Sequence, residues 1–198
     1  MIAKRWFDVL GALIGLILLA PLLLIIAIII KIDSKGPVLF IQERVGKNNK
    51  DFQIYKFRTM KLQSEAQGLL TLGNHDSRIT KVGYFLRRYK LDEFPQLFNI
   101  LKGDMSFVGP RPELRYYVNF YTEDDLKIFA VRPGITGLAS LKYRNEVELL
   151  KAAENPEEFF TKTIIPDKLK YNKEYIEKRH FFFDLKLIVI TIVQVLTK

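Results

Sequence analysis

The stretch from Val9 to Ile30 reads VLGALIGLILLAPLLLIIAIII, a run of 22 residues without a single charge. As a helix rising 1.5 Å per residue it would be about 33 Å long, close to the roughly 30 Å hydrocarbon core of a bilayer. The run is longer than the apolar region of a cleavable signal peptide, and no small-x-small cleavage pattern precedes Lys31 and Asp33. The sequence therefore predicts a membrane-attached protein, with residues 1–31 as the membrane segment.

A proline near the middle of this run, Pro21, affects how the segment meets the bilayer. Proline has no N–H, so the carbonyl of Ile17 loses its helical donor and a kink is expected there. Basic residues flank both ends of the run: Lys4 and Arg5 before it, and Lys31, Lys35, Arg44, Lys47 and Lys50 after it. Because basic residues favour the cytoplasmic side, residues 1–31 are expected to form a re-entrant helix-break-helix, with a kinked single span as the alternative.

A second informative stretch, LDEFPQ at residues 91–96, places two carboxylates side by side. Apolar residues recur at steps that fit one face of a helix: Leu91, Phe94, Phe98 and Leu101. Pro95 suits the first helical turn, where its missing N–H would be unpaired anyway, and Gly103 suits a left-handed cap at the end. Asp92 and Glu93 are therefore predicted to lie at the entrance of a helix.

Arginines accompany these acids on both sides in the sequence. Arg87 and Arg88 precede them, and Arg111 lies in the run Gly109-Pro110-Arg111-Pro112, whose prolines restrict the backbone. An arginine held in this way loses little freedom when it grips a phosphate with two hydrogen bonds. The paired acids and these arginines together favour phosphoryl transfer as the function. Alternatively, acids at a helix N-terminus serve only the helix dipole, a contribution of roughly 0.3–1 kcal/mol.

Several motifs extend this pattern over most of the chain. They are Arg87-Arg88, LDEFPQ at 91–96, LKGDMSFVGPRP at 101–112 and VRPGITG at 131–137, with looser matches at QERVG (42–46) and KFRTM (56–60). Through these motifs the chain resembles the bacterial sugar transferase family, the small monotopic polyprenol-phosphate phosphoglycosyl transferases. The strongest resemblance covers residues 82–145, and the looser part reaches the N-terminal apolar run.

The resemblance implies a two-step exchange between a UDP-sugar and polyprenol (undecaprenyl) phosphate, which gives polyprenol-diphospho-sugar and UMP and initiates bacterial surface glycan assembly. Asp92 would be the nucleophile that forms a covalent aspartyl intermediate, and it would also contact Mg²⁺. Glu93 would position or deprotonate the acceptor. The basic phosphate contacts would be Arg87, with Arg88 as its alternative, together with Arg111 and Arg144. The resemblance also implies the bacterial inner membrane, with the active site on its cytoplasmic face.

Departures from the family pattern leave the transferred sugar open. Tyr89-Lys90 stands where many members have a small hydroxyl residue, and Gly137-Leu138-Ala139-Ser140 stands where many have Gly-Trp-Ala-Gln. Arg144 is kept, but Tyr143 replaces a glycine before it. Ala20 lacks the hydroxyl that a serine before Pro21 would offer to the interrupted backbone.

Composition narrows the function classes. The net charge of +9 suits both an anionic membrane surface and phosphate ligands. Nucleic acid is not an expected partner, because the sequence has neither a Cys/His finger spacing nor an RNA-binding aromatic signature. The absence of cysteine excludes a thiolate nucleophile, and the two histidines, His75 and His180, stand far apart. A homo-oligomer remains open.

The remaining pattern predicts a predominantly helical α+β protein, with residues 32–198 as one catalytic domain. Val38–Arg44 and Phe52–Arg58 read as a small β-hairpin around a turn-rich Gly46-Lys47-Asn48-Asn49. Further breaks between helices are expected at Gly73-Asn74, Gly103, Pro110-Pro112, Pro133-Gly134, Asn155-Pro156 and Pro166.

The last third alternates aromatic and aliphatic residues with lysines, which suits amphipathic helices at the membrane interface. The residues concerned are Phe159-Phe160, Ile164-Ile165, Tyr171 and the apolar Leu187–Leu196. An ordinary core helix remains the alternative. Two other functions also stay open: a catalytically inactive membrane-anchored nucleotide-sugar-binding scaffold, and a basic peripheral protein that binds anionic lipid through charge alone.

Overall fold

The computed structural model describes residues 2–62, 64, 68, 70 and 76–197 and shows a predominantly helical protein with two small sheets. The strands are β1 (Leu39–Val45), β2 (Asp51–Phe57), β3 (Ser106–Val108) and β4 (Gly134–Thr136). The helices are α1 (Ile2–Asp33), α2 (Lys81–Arg88), α3 (Gln96–Lys102), α4 (Arg115–Val118), α5 (Leu138–Lys142), α6 (Glu146–Ala152), α7 (Pro156–Phe159), α8 (Ile165–Lys178) and α9 (Phe181–Leu196). The predicted helix-rich α+β class is confirmed. The break at Gly73-Asn74 lies outside the described residues, as does His75.

Helix α1 continues through Pro21, so the predicted division into two helices at this residue is not observed. An interior proline costs a helix about 3 kcal/mol, because one backbone hydrogen bond is lost and the ring crowds the preceding turn. Packing on both sides of the proline offsets that cost here. Leu19 packs against one core cluster and Leu23 against the next, which holds the helix in place across the missing hydrogen bond.

One face of α1 lies against the rest of the protein over most of the helix length. Its contacting residues recur at steps of three and four: Asp8, Ala12, Leu16, Leu19, Leu23, Ile26 and Ile30. The opposite face exposes large apolar side chains, among them Leu10, Ile14, Ile17, Leu18, Leu24 and Ile28. By length and composition α1 is the one helix among the described residues that is able to cross a membrane, and 11% of its most apolar window is buried. A lipid phase would cover the exposed face.

The N-terminal end of α1 is fastened by a buried polar network. Lys4 Nζ forms an ion pair with Asp184 in α9 and donates to the carbonyl of Val108, 2.9 Å away, at the end of β3. The Tyr175 hydroxyl in α8 donates to the other oxygen of Asp184 at 2.8 Å and accepts from Lys4 Nζ at 3.2 Å. Three helices and a strand therefore meet at one ammonium group.

The C-terminal end of α1 returns to the same body of the protein. The buried Arg58 donates to the carbonyls of Ser34 (2.9 Å) and Lys35 (2.5 Å), which follow the last turn of α1. Ile30 is buried in a cluster with Phe57 and Leu86. Both ends of the apolar helix therefore contact the domain built by the rest of the chain.

Replacing Lys4 by Met is expected to lower the free energy of unfolding by about 2–4 kcal/mol. Among the described residues, Asp184 would then be left with the Tyr175 hydroxyl as its side-chain partner, and loss of one partner from a buried ion pair is strongly destabilising. Denaturant unfolding of the detergent-solubilised protein measures the change. Lys31→Met in the same helix is the matched control, since Lys31 is exposed and donates to the Gly36 carbonyl. Equal losses in the two variants would contradict this assignment.

The predicted hairpin is confirmed to within one residue at each strand end. Strands β1 and β2 pair antiparallel from Leu39 opposite Phe57 to Val45 opposite Asp51. The turn between them contains Asn48 and Asn49, both with a φ of 58°, a left-handed conformation that asparagine tolerates better than most residues.

The second sheet was not predicted. Strands β3 and β4 pair in parallel, Ser106 beside Gly134 and Val108 beside Thr136. Gly134 is required for this close approach, because a Cβ there would lie 2.1 Å from the backbone nitrogen of Gly109. The pair fixes the chain immediately before Arg111.

The interfacial interpretation is wrong for part of the last third. Phe160, Ile164 and Ile165 are buried in the largest core cluster, because α8 packs between α5 and the helical turns that precede it. Pro166 occupies the first turn of α8, directly after the π-helical turn Phe160–Ile164, and does not separate two helices.

Helix α9 has the two faces expected of a helix at a membrane interface. Asp184 and Leu187 are buried against the rest of the protein. The other side exposes apolar residues, including Phe182, Val189, Ile192 and Val193. The α9 residue Phe181 stacks edge to face on Phe7 of α1, with 5.6 Å between ring centroids, so the two helices are neighbours.

Candidate active site

The paired acids lie where a short 3-10 turn, Leu91–Glu93, leads into α3. Lys90 precedes the turn with a left-handed φ of 58°, and Pro95 stands directly before the helix. Gly103 ends the helix with a φ of 96°. The predicted helix entrance and the glycine cap are both confirmed.

The predicted apolar face of this segment is only partly correct. Phe98 is 48% exposed, whereas Leu97 and Ile100 are buried together with the polar Gln96 and Asn99. The 3-10 turn has three residues per turn and not 3.6. If residues 91–101 are treated as one α-helix, the predicted apolar face is therefore rotated away from the side that is buried.

Glu93 is buried and paired with two cations. Lys56 Nζ lies 3.2 Å from Glu93 Oε1, and both terminal nitrogens of Arg111 approach the carboxylate, one of them at 3.4 Å from Oε2. Burial alone would raise the pKa of Glu93, but Arg111 and Lys56 outweigh it and hold the pKa well below its ordinary value. Glu93 is therefore ionised and fixed in place.

Asp92 has a different environment although it is the adjacent residue. It is 9% exposed, and its Oδ1 atom is buried without a hydrogen-bond partner among the residues that the structure describes. Burial, followed by the negative charge of Glu93, raises the pKa of Asp92, while Lys56, Lys90 and Arg87 oppose the shift. The site thus holds one satisfied carboxylate and one that is free to take a new ligand.

Of the four predicted arginines, two lie near the paired acids and two lie at the surface. Arg111 contacts Glu93 directly. Arg87 is half-buried at the end of α2, where burial lowers its pKa against the opposing charge of Asp92. Arg88 points to the surface, with its guanidinium 5.8 Å from the ring centre of Tyr89. Arg144 is exposed after α5 and makes no ion pair within the described ranges.

Lys56 was not singled out from the sequence, although it completes the site. The hairpin register places Lys56 opposite Phe40 and Arg44 opposite Phe52, so the two basic residues project from the same face of the sheet. The alternation of residues along the two predicted strands was the sequence signal that could have placed Lys56 on the same face as Arg44. Lys56 lies 36 residues before Asp92 in the chain, and only the folded structure shows their proximity.

A second group of charges supports the loop that carries Arg111. Arg44 donates to the Pro112 carbonyl at 3.2 Å, and its guanidinium lies 3.9 Å from Glu113. The buried Lys168 forms ion pairs with Glu113 at 3.1 Å and Glu146 at 3.0 Å. These contacts hold residues 112 and 113 from one side, while β3 holds the chain before Arg111 from the other.

The carboxylates fit magnesium only as a partner of a phosphate ligand. No cluster of three or more Asp, Glu, His or Cys side chains with metal-binding spacing exists among the described residues. Mg²⁺ commonly takes one or two protein carboxylates and completes its shell with substrate phosphates and water. The unpaired Oδ1 atom of Asp92 suits that arrangement, because Glu93 is already committed to Arg111 and Lys56.

Comparison with known proteins places these residues in context. Residues 1–198 match the family model described as "Bacterial sugar transferase". The chain is 49% identical over 141 residues to a UDP-N-acetylgalactosamine-undecaprenyl-phosphate N-acetylgalactosaminephosphotransferase of Aeromonas hydrophila, a match that covers 70% of this chain and 33% of that protein. It is 42% identical over 143 residues to a putative undecaprenyl-phosphate N-acetylgalactosaminyl 1-phosphate transferase of Bacillus subtilis (strain 168), covering 72% and 79%.

A relative with a different sugar in its name matches almost the full chain. The UDP-glucose:undecaprenyl-phosphate glucose-1-phosphate transferase of Klebsiella pneumoniae is 37% identical over 196 residues, which covers 97% of this chain and 40% of that protein. The matched region thus spans about a third of the Aeromonas protein and two fifths of the Klebsiella protein.

Proposed function

Because the chain belongs to the bacterial sugar transferase family, we propose that it moves a sugar phosphate from a UDP-sugar to polyprenol phosphate, with undecaprenyl phosphate as the natural acceptor. The products are UMP and polyprenol-diphospho-sugar, the starting lipid for a bacterial surface glycan. The observation that carries the proposal is the buried Oδ1 atom of Asp92, which has no partner among the described residues and feels the charges of Lys56 and Arg87, while Arg111 pairs with the adjacent Glu93. The names of the relatives support the substrate class.

The reaction proceeds in two displacements at the sugar-bearing phosphorus. In the first, Asp92 attacks this phosphorus, an aspartyl–phosphorus bond forms, and the bond to UMP breaks. In the second, a phosphate oxygen of the polyprenol phosphate attacks the same phosphorus and releases the Asp92 carboxylate. The acceptor is already ionised, so neither step requires a base to remove a proton.

The chain's own cations make the first displacement feasible. A carboxylate and a diphosphate repel each other, and the repulsion falls when fixed positive charges surround both. The positive charges of Arg87 and Lys56 act on Asp92. Arg111 has five N–H donors, of which Glu93 accepts from two, so it can also donate to a phosphate. Magnesium bound by Asp92 and the diphosphate would supply further positive charge.

Glu93 acts as a positioning residue and not as a base. Its pKa lies well below the ordinary value, so it has little tendency to accept a proton at neutral pH. Its contacts instead hold two cations in fixed positions next to the paired acids. These are Lys56, on the hairpin, and Arg111, on the loop after β3. The sequence left open whether Glu93 positions or deprotonates the acceptor, and its contacts favour a third role, the positioning of Lys56 and Arg111.

The apolar faces of α1 and α9 attach the protein to the bacterial inner membrane from its cytoplasmic side. Both ends of α1 contact the same domain, through Lys4 at one end and Arg58 at the other. A helix with both ends on one body has those ends on one side of the bilayer. We therefore propose that residues 1–31 attach the protein from one side, and a re-entrant path would require α1 to bend at Pro21 within the continuous helix. This attachment places the active site near the lipid phosphates.

Cysteine labelling tests this topology. The chain has no cysteine, so Ile2→Cys, Lys35→Cys and Lys50→Cys each introduce a single reactive thiol. A membrane-impermeant maleimide is expected to label all three in inverted inner-membrane vesicles and none in intact spheroplasts. Lys50→Cys in the exposed hairpin turn reports the side of the catalytic domain. Labelling of Ile2→Cys and Lys35→Cys from opposite sides would show that α1 spans the bilayer.

The reaction itself is tested by UMP release from a panel of UDP-sugars. The detergent-solubilised protein is assayed with Mg²⁺, with and without polyprenol phosphate, and the sugar that gives acceptor-dependent turnover is its substrate. A folded protein that binds nucleotide-sugar but releases no UMP with any donor would be the inactive scaffold. Binding that depends only on charge would be lost at high salt, as expected of a basic peripheral protein.

A further inference from the structure

Gln96 follows the candidate nucleophile by four residues, is buried, and has no hydrogen-bond partner for its side-chain nitrogen among the described residues. The residue is 1% exposed, and its Nε2 atom contacts neither an acceptor of the main chain nor one of the side chains across the described ranges. Leaving a buried amide unpaired costs about 1–3 kcal/mol, so such groups in native proteins call for an explanation.

The position of Gln96 relates it to Asp92. The 3-10 turn Leu91–Glu93 is followed by Phe94 and Pro95, both with helical backbone angles, and then by α3, so Gln96 begins α3 about one turn after Asp92. Asp92, Gln96 and Asn99 follow one another at steps of four and three and are all buried. They form a polar stripe inside the protein.

Asn99 shows which way this stripe faces. Its side-chain oxygen accepts from Tyr55 N at 3.0 Å, and its side-chain nitrogen donates to Gln53 O at 2.7 Å. Asn99 thus forms hydrogen bonds with two backbone groups on the edge of β2 that does not pair with β1. This is the strand that carries Lys56. Gln96 lies one turn closer to Asp92 on the same stripe but lacks such a partner within the part of the chain that the structure describes.

The two unpaired atoms of this stripe are chemically complementary to a phosphoryl group. The Asp92 Oδ1 atom is a nucleophile or metal ligand, and the Gln96 amide is a neutral hydrogen-bond donor. Two of the neighbouring cations, Lys56 and Arg111, already contact Glu93. A group bonded to Asp92 would bring acceptor oxygens within the reach of the side chain one turn along the helix.

We propose that Gln96 is a catalytic residue of this site, whose side-chain amide donates a hydrogen bond to a non-bridging oxygen of the phosphoryl group during its transfer to and from Asp92. The inference rests on the proposed function. The donor is set in place by folding and remains unpaired until the phosphoryl group arrives. We expect its hydrogen bond to be stronger in the transition state, where the phosphoryl group bonds to Asp92, than in the bound UDP-sugar.

Gln96→Leu tests this role, with the exposed Gln53→Leu of β2 as the matched control. The leucine variant is expected to lower kcat for UMP release by about 10²-fold, the scale for loss of one donor to developing charge. KM for the UDP-sugar should change by less than roughly threefold, since ground-state binding is not the main contribution of this donor. Its melting temperature should equal or exceed that of the wild type, because the unpaired amide is gone.

Gln96→Glu provides a second variant with nearly the same shape. It replaces the donor by an acceptor beside Asp92 and should lower kcat at least as far as leucine does. If kcat in both Gln96 variants stays within twofold of wild type, or falls only in parallel with a loss of melting temperature, the proposal is overturned. No turnover in wild type and Gln53→Leu would overturn the proposed function together with this role. Turnover in those two with unaffected Gln96 variants overturns the role of Gln96 alone.

Discussion

Asp92→Asn is expected to lower kcat for UMP release by about four orders of magnitude or more, a loss typical of removing a catalytic nucleophile. The amide keeps the shape of the side chain but is a poor nucleophile and a poor ligand for magnesium. The Oδ1 atom of Asp92 is a buried carboxylate oxygen without a partner among the described residues, and the neighbouring Glu93 is held by Arg111 and Lys56. Glu93 therefore offers no substitute nucleophile. Acceptor-dependent UMP release measures the effect.

The same variant should keep its stability. Burial raises the pKa of Asp92, which means that the folded protein disfavours its charged form, and asparagine removes that charge. The melting temperature of Asp92→Asn should therefore match or exceed that of wild type. Asp51→Asn, which alters an exposed carboxylate in the hairpin, is the control for a general effect of losing an acid. Wild-type turnover in Asp92→Asn would remove Asp92 from the mechanism.

Glu93→Gln is expected to reduce both stability and activity. The change leaves Lys56 and Arg111 facing a neutral amide, and the two cations then repel each other. Breaking a buried ion pair costs about 3–5 kcal/mol, and the partial exposure of Arg111 reduces this to about 2–4 kcal/mol. We expect kcat to fall by about 10²-fold as Arg111 and Lys56 lose their fixed positions. Denaturant unfolding and UMP release are measured on the same preparation.

The stability effect of Glu93 has a defined dependence on pH. Its folded pKa is depressed, so its contribution is fully present above the unfolded value of about 4.3 and is lost as the pH falls through the folded pKa. The difference in unfolding free energy between wild type and Glu93→Gln should therefore be constant near neutrality and shrink in acid. A difference that grows as the pH falls would contradict the ion-pair assignment.

Local sequence signals predicted the features that local chemistry determines. The hairpin follows from alternation and a turn with two asparagines, and the cap at Gly103 follows from the one residue type that readily adopts a positive φ. The candidate site was likewise identified through Asp92, Glu93 and Arg111, which lie within 20 residues. The short, rigid segments between them leave few ways to separate these side chains in the fold.

Features that depend on distant contacts were missed or misjudged. Lys56 reaches Glu93 from a different supersecondary unit, and the three-residue strands β3 and β4 are too short for a periodic pattern. The continuity of α1 through Pro21 depends on packing against clusters formed by residues far along the chain. Apolar content alone also did not distinguish the buried Phe160 from the exposed Phe182.

The most direct test of the central claim is the intact mass of the protein after incubation with its UDP-sugar and Mg²⁺ in the absence of acceptor. We predict a wild-type adduct equal in mass to one sugar phosphate less one water, located by peptide mapping on Asp92 and discharged when polyprenol phosphate is added. Asp92→Asn should show no adduct. A wild-type enzyme that turns over with acceptor but never carries the adduct, or carries it on another residue, would contradict the account.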